Sequence, residues 1–257
     1  GNSKAHVQIS TLIIDSMLGV NSYNLGMNGS MFQVQELVFN LYLKKNIKPN
    51  FIIQVVGNST LKNEVNMHEY KRYAPYLNDS LVRKTAKQLN GFTTIDYILP
   101  FVRYAGFSIE IITGILNSIG IKLAIDKNKS YKGYLPQQIK WDNSFEKFKK
   151  ENKNGIYFEM NKALIKSFSQ YIKSSKQKGI NLILVYPPTY HEAHSLIKSR
   201  DATIKLYEQI AVENNVLFLD YSSDQSFRSK DLFYNSQHLN KKGAELFTKK
   251  LCSDIIN

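Results

Sequence analysis

Hydrophobic and polar positions form two different patterns along this chain, and the two patterns predict strands and helices in alternation. Short apolar runs bounded by turn residues are typical of buried parallel strands, and they occupy residues 51–56, 180–186 and 216–219. Longer segments carry apolar side chains at helical spacing, and they occupy residues 31–45, 159–178, 199–214 and 241–255. A further short strand is predicted at 20–25, just before the turn-forming Gly26.

The alternation of strands with helices predicts an α/β domain with a central parallel sheet and right-handed crossovers. In such a domain the loops at the carboxyl ends of the strands form the site. Residues 61–155 interrupt the alternation, because several aromatic-rich helical segments replace it. We therefore expect one domain over residues 1–257, with a mainly helical insertion or cap at 61–155.

The composition restricts the partners more than it restricts the fold. The 257-residue chain has a formal net charge of +13, but its lysines are scattered or lie in helical segments, without an arginine–aromatic motif. We therefore expect a solvated basic surface and no nucleic-acid partner, while attraction to an anionic polymer or membrane surface stays open. The single cysteine, Cys252, excludes an intrachain disulfide and a cysteine-rich zinc site.

A lone histidine near the end of the chain, His238, is the first candidate for chemistry. It lies in a short polar loop just before the predicted helix 241–255, which can fix an imidazole at the edge of a cleft. In acyl transfer, a histidine takes the proton of a serine whose oxygen attacks a carbonyl. A third group orients the imidazole, and backbone N–H groups with an asparagine amide stabilise the oxyanion.

Four short blocks, in this order along the chain, resemble those of the SGNH (GDSL-like) hydrolases. They are Gly1-Asn2-Ser3, Asn24-Leu25-Gly26, Gly57-Asn58 and Asn235-Ser236-Gln237-His238. The wider segments around them are similar to SGNH-like proteins of bacterial cell envelopes, which act on O-acyl groups of surface polymers or assist in placing them. The resemblance covers residues 1–60 and 155–257.

The resemblance implies a flavodoxin-like three-layer α/β/α fold and a serine esterase or O-acyltransferase that needs no cofactor and no metal. Ser3 would be the nucleophile, His238 the base and Asn235 its orienting partner, while Gly26 and Asn58 would hold the oxyanion. An acylated carbohydrate or surface polymer is the implied substrate, and a membrane-bound acyltransferase is an implied partner. The implied location is the cell envelope, and we expect the family's first strand upstream of Gly1.

Two departures from the family pattern keep an alternative open. The family has an aspartate where this chain has Asn235, and Gly57-Asn58 lacks the residue that normally separates glycine from asparagine. The alternative is a catalytically weak or inactive SGNH-fold protein that binds a polymer or assists an envelope acylation complex. Three carboxylates are candidates to replace the missing charge, and they are Asp220, Asp224 and Asp231.

A histidine pair invites a zinc interpretation that we do not favour. His191 and His194 have the spacing His-x-x-His, not the His-Glu-x-x-His of zinc proteases. Because the sequence shows no further cluster of ligands, we predict no metal site there.

Overall fold

The computed structural model describes residues 1–99, 101–121, 130–142 and 144–256. The chain divides into two compact units, a sheet unit of residues 1–63 and 130–257 and a helical unit of residues 64–129. The helical unit therefore begins and ends inside the predicted insertion, and residues 130–155 pack with the sheet unit. Residues 100, 122–129 and 143 of the predicted insertion lie outside the described residues.

The sheet unit is built on a three-stranded parallel sheet in the order β1-β2-β3. Its strands are β1 (Phe51–Val55), β2 (Asn181–Tyr186) and β3 (Leu217–Asp220). The three apolar runs were thus correctly predicted as parallel strands, and the α/β class is confirmed. Because the strands are parallel and Tyr186 pairs with Asp220, their carboxyl ends lie at one edge of the sheet.

Ten α-helices and a small antiparallel hairpin complete the described fold. The helices of the sheet unit are α1 (Ser3–Gln8), α2 (Thr11–Leu18), α3 (Phe32–Lys45), α7 (Ser144–Glu151), α8 (Lys162–Gln177), α9 (Arg200–Asn214) and α10 (Lys241–Ile256). Those of the helical unit are α4 (Ser80–Gln88), α5 (Thr94–Ile98) and α6 (Ser108–Ser118). The hairpin strands are β4 (Phe233–Asn235) and β5 (His238–Leu239). Among the described residues, none of these helices combines the length and apolar character needed to cross a membrane.

Two hydrophobic clusters hold the sheet unit together, and β2 contributes to both. Val185 packs with residues of α1, α2 and α10, whereas Leu184 and Tyr186 pack with residues of α3, α8 and α9. This alternation is what a pleated strand imposes, because successive side chains point to opposite faces. Burial on both faces also explains why the strand reads as a continuous apolar run in the sequence.

The strand predicted at 20–25 is wrong, because no strand forms there in the described structure. The segment is held by side chains instead of by a sheet neighbour. Asn24 Nδ2 donates to the carbonyl oxygens of Ala5 (2.7 Å) and Ile9 (3.0 Å) at the end of α1. A cleft of about 670 Å³, lined in part by β1, borders this segment. The polar Asn24 therefore anchors the segment to a helix end, while Tyr23 and Leu25 are exposed.

Candidate functional site

Ser3 is the first residue of α1 and is held by a capped helix start. The preceding residue, Asn2, has an extended backbone, and its Oδ1 accepts a hydrogen bond from Lys4 N at 3.0 Å. Asparagine is among the best residues for this N-cap role, because it satisfies one of the N–H groups that the first turn leaves free. The carbonyl oxygen of Gly1 accepts bonds from Met27 N and from Ser30 Oγ. The serine is therefore fixed on both sides.

His238 lies on the β4–β5 hairpin, where it pairs directly with Asn235. Asn240 secures the hairpin to α10, since its Nδ2 donates to the carbonyl oxygen of Asp231 at 2.7 Å and its Oδ1 accepts from Gly243 N at 3.0 Å. Gly243 is needed at this junction, because a Cβ there would lie 2.1 Å from the Leu232 carbonyl oxygen. The sequence after the histidine thus positions the imidazole against a rigid helix start.

The structure brings Ser3, His238 and Asn235 together. Ser3 Oγ lies 2.8 Å from His238 Nε2, although 235 positions separate the two residues in the chain. On the other side of the ring, His238 Nδ1 lies 3.0 Å from Asn235 Oδ1. Both distances are those of normal hydrogen bonds, so the three side chains form a continuous relay.

The backbone defines which atom of the Asn235 amide faces the histidine. The atom that contacts the imidazole also accepts the backbone N–H groups of Gln237 and His238, each at 3.0 Å. An amide nitrogen cannot accept these bonds, so the atom is the oxygen. His238 Nδ1 must then carry the proton, and Nε2 presents its lone pair to the Ser3 hydroxyl. That tautomer is the one a general base requires.

Burial and a nearby cation keep the imidazole neutral. Burial first, and then the charge of Lys4, lower the pKa of His238 from 6.5 to about 4. The ring of Tyr234 stacks on the imidazole, with centroids 5.4 Å apart and an interplanar angle of 10°. At neutral pH the histidine is therefore unprotonated and able to accept a proton.

The two predicted oxyanion residues are placed less favourably. The Gly26 N–H already donates to Asn24 Oδ1 at 2.8 Å, so it must leave this bond before it can reach a substrate. Asn58 is 9% exposed, and its Oδ1 is buried without a hydrogen-bond partner among the described residues. Its side chain lies near Tyr186, whose pKa is raised by burial. The Ser3 backbone N–H, in the first turn of α1, has no partner within the helix.

None of the three candidate aspartates replaces the missing charge at Asn235. Asp220 Oδ1 accepts the N–H of Ser222, and Asp224 accepts Ser226 N and forms an ion pair with Lys250. Asp231 contributes a backbone carbonyl to the loop. Among the described residues, no carboxylate contacts His238, so the imidazolium formed during proton transfer would have a neutral partner.

The His191 and His194 side chains do not face one another as a ligand pair. His194 Nε2 lies 3.0 Å from Thr189 Oγ1. The His191 ring packs on Tyr190, with ring centroids 4.6 Å apart. Within the described ranges, no group of three potential metal ligands is found.

Three neighbours of the site were missed in the sequence. Lys4 and Tyr234 act on His238 as described above, and Tyr190 N donates to the Ser236 carbonyl oxygen of the histidine loop at 2.9 Å. Only Lys4 had a usable signal, because it directly follows the proposed nucleophile. Tyr190 in turn packs against Trp141 at 4.8 Å, which gives the site an aromatic flank.

No protein-family model matches the chain, and no curated protein matches it.

Proposed function

We propose that this protein is an SGNH-like serine esterase or O-acyltransferase acting on ester-linked acyl groups of a carbohydrate or cell-surface polymer. The observation that carries the proposal is the relay from Ser3 Oγ through His238 to Asn235, with contacts of 2.8 and 3.0 Å. The two helix sets on opposite sides of β2 support the flavodoxin-like three-layer fold. Three of the four sequence blocks adjoin the ends of elements, at the start of α1, after β1 and on the β4–β5 hairpin, which supports the SGNH resemblance.

The proposed reaction has two halves with a balanced proton count. Ser3 Oγ attacks the acyl carbon while its proton passes to His238 Nε2, and the tetrahedral oxyanion accepts hydrogen bonds from Ser3 N–H and Asn58. The bond from carbon to the leaving alcohol oxygen then breaks, and His238 returns the proton to that oxygen. Water or a sugar hydroxyl next attacks the acyl-serine, with His238 again accepting and returning a proton. Water gives hydrolysis, and a hydroxyl gives transfer.

The polymer substrate and the cell-envelope location are proposed from the resemblance. Beside the histidine loop, the partly exposed Trp141 packs edge-on against the buried Tyr190, and Lys230 lies over both rings, 5.3 and 5.5 Å from their centroids. A membrane-bound acyltransferase remains the proposed source of acyl groups if the reaction is transfer.

The direct test is hydrolysis of p-nitrophenyl acetate by the purified chain. We expect measurable turnover that Ser3→Ala abolishes, because the Ser3 hydroxyl is the group in contact with His238 Nε2. The exposed Ser195 provides a matched control, since its Oγ only donates to a local carbonyl, and Ser195→Ala should leave turnover unchanged. Equal turnover in Ser3→Ala and the parent would refute the proposal.

A second candidate function is supported by two features of the same site. The partner of His238 is uncharged, and the Gly26 N–H is already engaged. Both features fit an SGNH-fold protein with weak or no catalysis that binds a polymer or assists an acylation complex. Ordinary esterase rates in the parent chain would exclude this candidate, whereas binding of an acetylated oligosaccharide without turnover would favour it.

A further inference from the structure

Lys4 is a buried cation that the proposed reaction leaves unexplained. Its side chain is 8% exposed, although lysines are almost never buried unless they are paired. Among the described residues, no carboxylate and no hydrogen-bond acceptor contacts its ammonium group. Its one recorded contact is with the ring of Tyr186, whose centroid lies 5.7 Å from Nζ.

Other lysines of the sheet unit show how such a group is normally satisfied. Lys132, which is more exposed, forms an ion pair with Asp15 at 2.5 Å. Lys176 donates to the carbonyl oxygens of Asn214 (2.7 Å) and Asn215 (3.0 Å). Lys4 is the most deeply buried of these three lysines, and its ammonium group has neither a carboxylate nor a carbonyl partner among the described residues. The stem of Lys4 is buried, but its ammonium nitrogen is not among the fully buried unpartnered atoms, so this charge without a protein partner is accessible to an anion from outside.

The position of Lys4 relates that partner to the proposed chemistry. Lys4 follows Ser3 in the first turn of α1, and its charge contributes to lowering the pKa of both His238 and His194. The same region has no carboxylate at position 235. The site thus has an excess of positive charge where the nucleophile and base meet.

We propose that the Lys4 ammonium binds an anionic group, a carboxylate or a phosphate, that the substrate carries beside the ester attacked by Ser3. This inference rests on the proposed function and specifies its substrate class as an acylated anionic polymer. A bound anion offsets the charge of Lys4, so the imidazole of His238 becomes a stronger base in the complex than in the free protein. The substrate thereby supplies the negative charge that Asn235 lacks.

The kinetic test compares paired esters in which one member carries anionic groups and the other is neutral. The carboxylate arm uses an O-acetylated oligogalacturonide against an O-acetylated neutral galacto-oligosaccharide, and the phosphate arm uses acetylated glycerol 3-phosphate against acetylated glycerol. We expect kcat/KM for the anionic member of one arm to exceed that of its neutral partner by about 30-fold or more, as for a desolvated charge pair. The arm that shows the preference identifies the anion.

Three variants assign the preference to Lys4. Lys4→Met should reduce the ratio of anionic to neutral kcat/KM to about one-tenth of the parent value or less, while Lys4→Arg should retain most of it. Lys205→Met removes an equal charge from an exposed position and should leave the ratio unchanged. A parent ratio near unity in both arms, or a ratio that survives Lys4→Met, overturns the inference.

A binding measurement separates failure of this inference from failure of the proposed function. Unacetylated oligogalacturonate and glycerol 3-phosphate are titrated into the full chain and followed by isothermal calorimetry, which needs no turnover. Binding of one probe that Lys4→Met weakens at least about tenfold supports the anion site even if no ester is hydrolysed. Absence of binding by either probe, or equal binding by parent and Lys4→Met, overturns it. Circular dichroism melting checks that Lys4→Met is folded.

Discussion

Replacing Asn235 with aspartate restores the charge that the relay lacks, and its effect can be worked out from the structure. The side chain already holds its oxygen 3.0 Å from His238 Nδ1, and two backbone N–H groups hold that oxygen in place. A carboxylate can adopt the same position and accept the same three hydrogen bonds. Asn235→Asp therefore changes the charge of the relay without changing its geometry.

The size of the effect lies between two limits. Two unit charges about 3 Å apart interact by about 5 kcal/mol at an effective dielectric of about 20, an upper limit near 10⁴-fold in rate. A hydrogen bond to a charged group exceeds a neutral one by about 1 kcal/mol or slightly more, which sets a lower limit of roughly tenfold. We expect kcat/KM to rise between these limits, because the carboxylate stabilises the imidazolium formed when Ser3 loses its proton.

The assay is hydrolysis of p-nitrophenyl acetate by the parent, Asn235→Asp and Asn235→Ala. Asn235→Ala should lower the rate, since it removes the acceptor that selects the histidine tautomer. The exposed Asn78 provides a matched control, and Asn78→Asp should leave the rate at its parent value. Equal rates for the parent and Asn235→Asp would refute the reasoning that a negative charge at position 235 stabilises the imidazolium of His238 during the reaction.

Four further results are expected. Because the pKa of His238 is lowered from 6.5 to about 4, kcat/KM should hold from neutral pH downward and fall only as pH drops through about 4; an acidic limb near 6.5 would contradict this burial. The unfolded imidazole binds its proton at the higher pKa, so this group's contribution to stability is present above 6.5 and is lost as pH falls toward 4. Tyr234→Ala exposes the imidazole and should shift the acidic limb toward higher pH. Gly243→Ala should destabilise the fold by about 1–3 kcal/mol in urea unfolding, because its Cβ meets the Leu232 carbonyl, whereas Gly114→Ala has open space and should not.

Unbroken apolar runs predicted the sheet, and β2 shows why, because its side chains are buried on both faces. The runs at 51–56, 180–186 and 216–219 became β1, β2 and β3 with ends shifted by at most one residue. The pattern at 20–25 failed although β1 lies at an edge of the described sheet, because suitable side chains do not by themselves make a strand. Here the hydrogen bonds of Asn24 to α1 fixed the segment in another way.

Local sequence indicated the parts of the site but not their electrostatics. The blocks at Ser3 and His238 predicted a meeting that depends on the whole fold, and the structure has them in hydrogen-bond contact. The influence of Lys4 and Tyr234 on the imidazole depends on burial and distance, which no local pattern encodes. The Gly26 N–H was equally unpredictable, because its bond to Asn24 arises from a turn whose geometry the sequence does not specify.

The most direct test of the central claim is covalent labelling with a fluorophosphonate probe, followed by intact-mass and peptide mass spectrometry. The account predicts a single adduct on Ser3 that disappears in Ser3→Ala and forms far more slowly in His238→Ala. Absence of any adduct on the folded parent, or an adduct that persists in Ser3→Ala, would contradict the account.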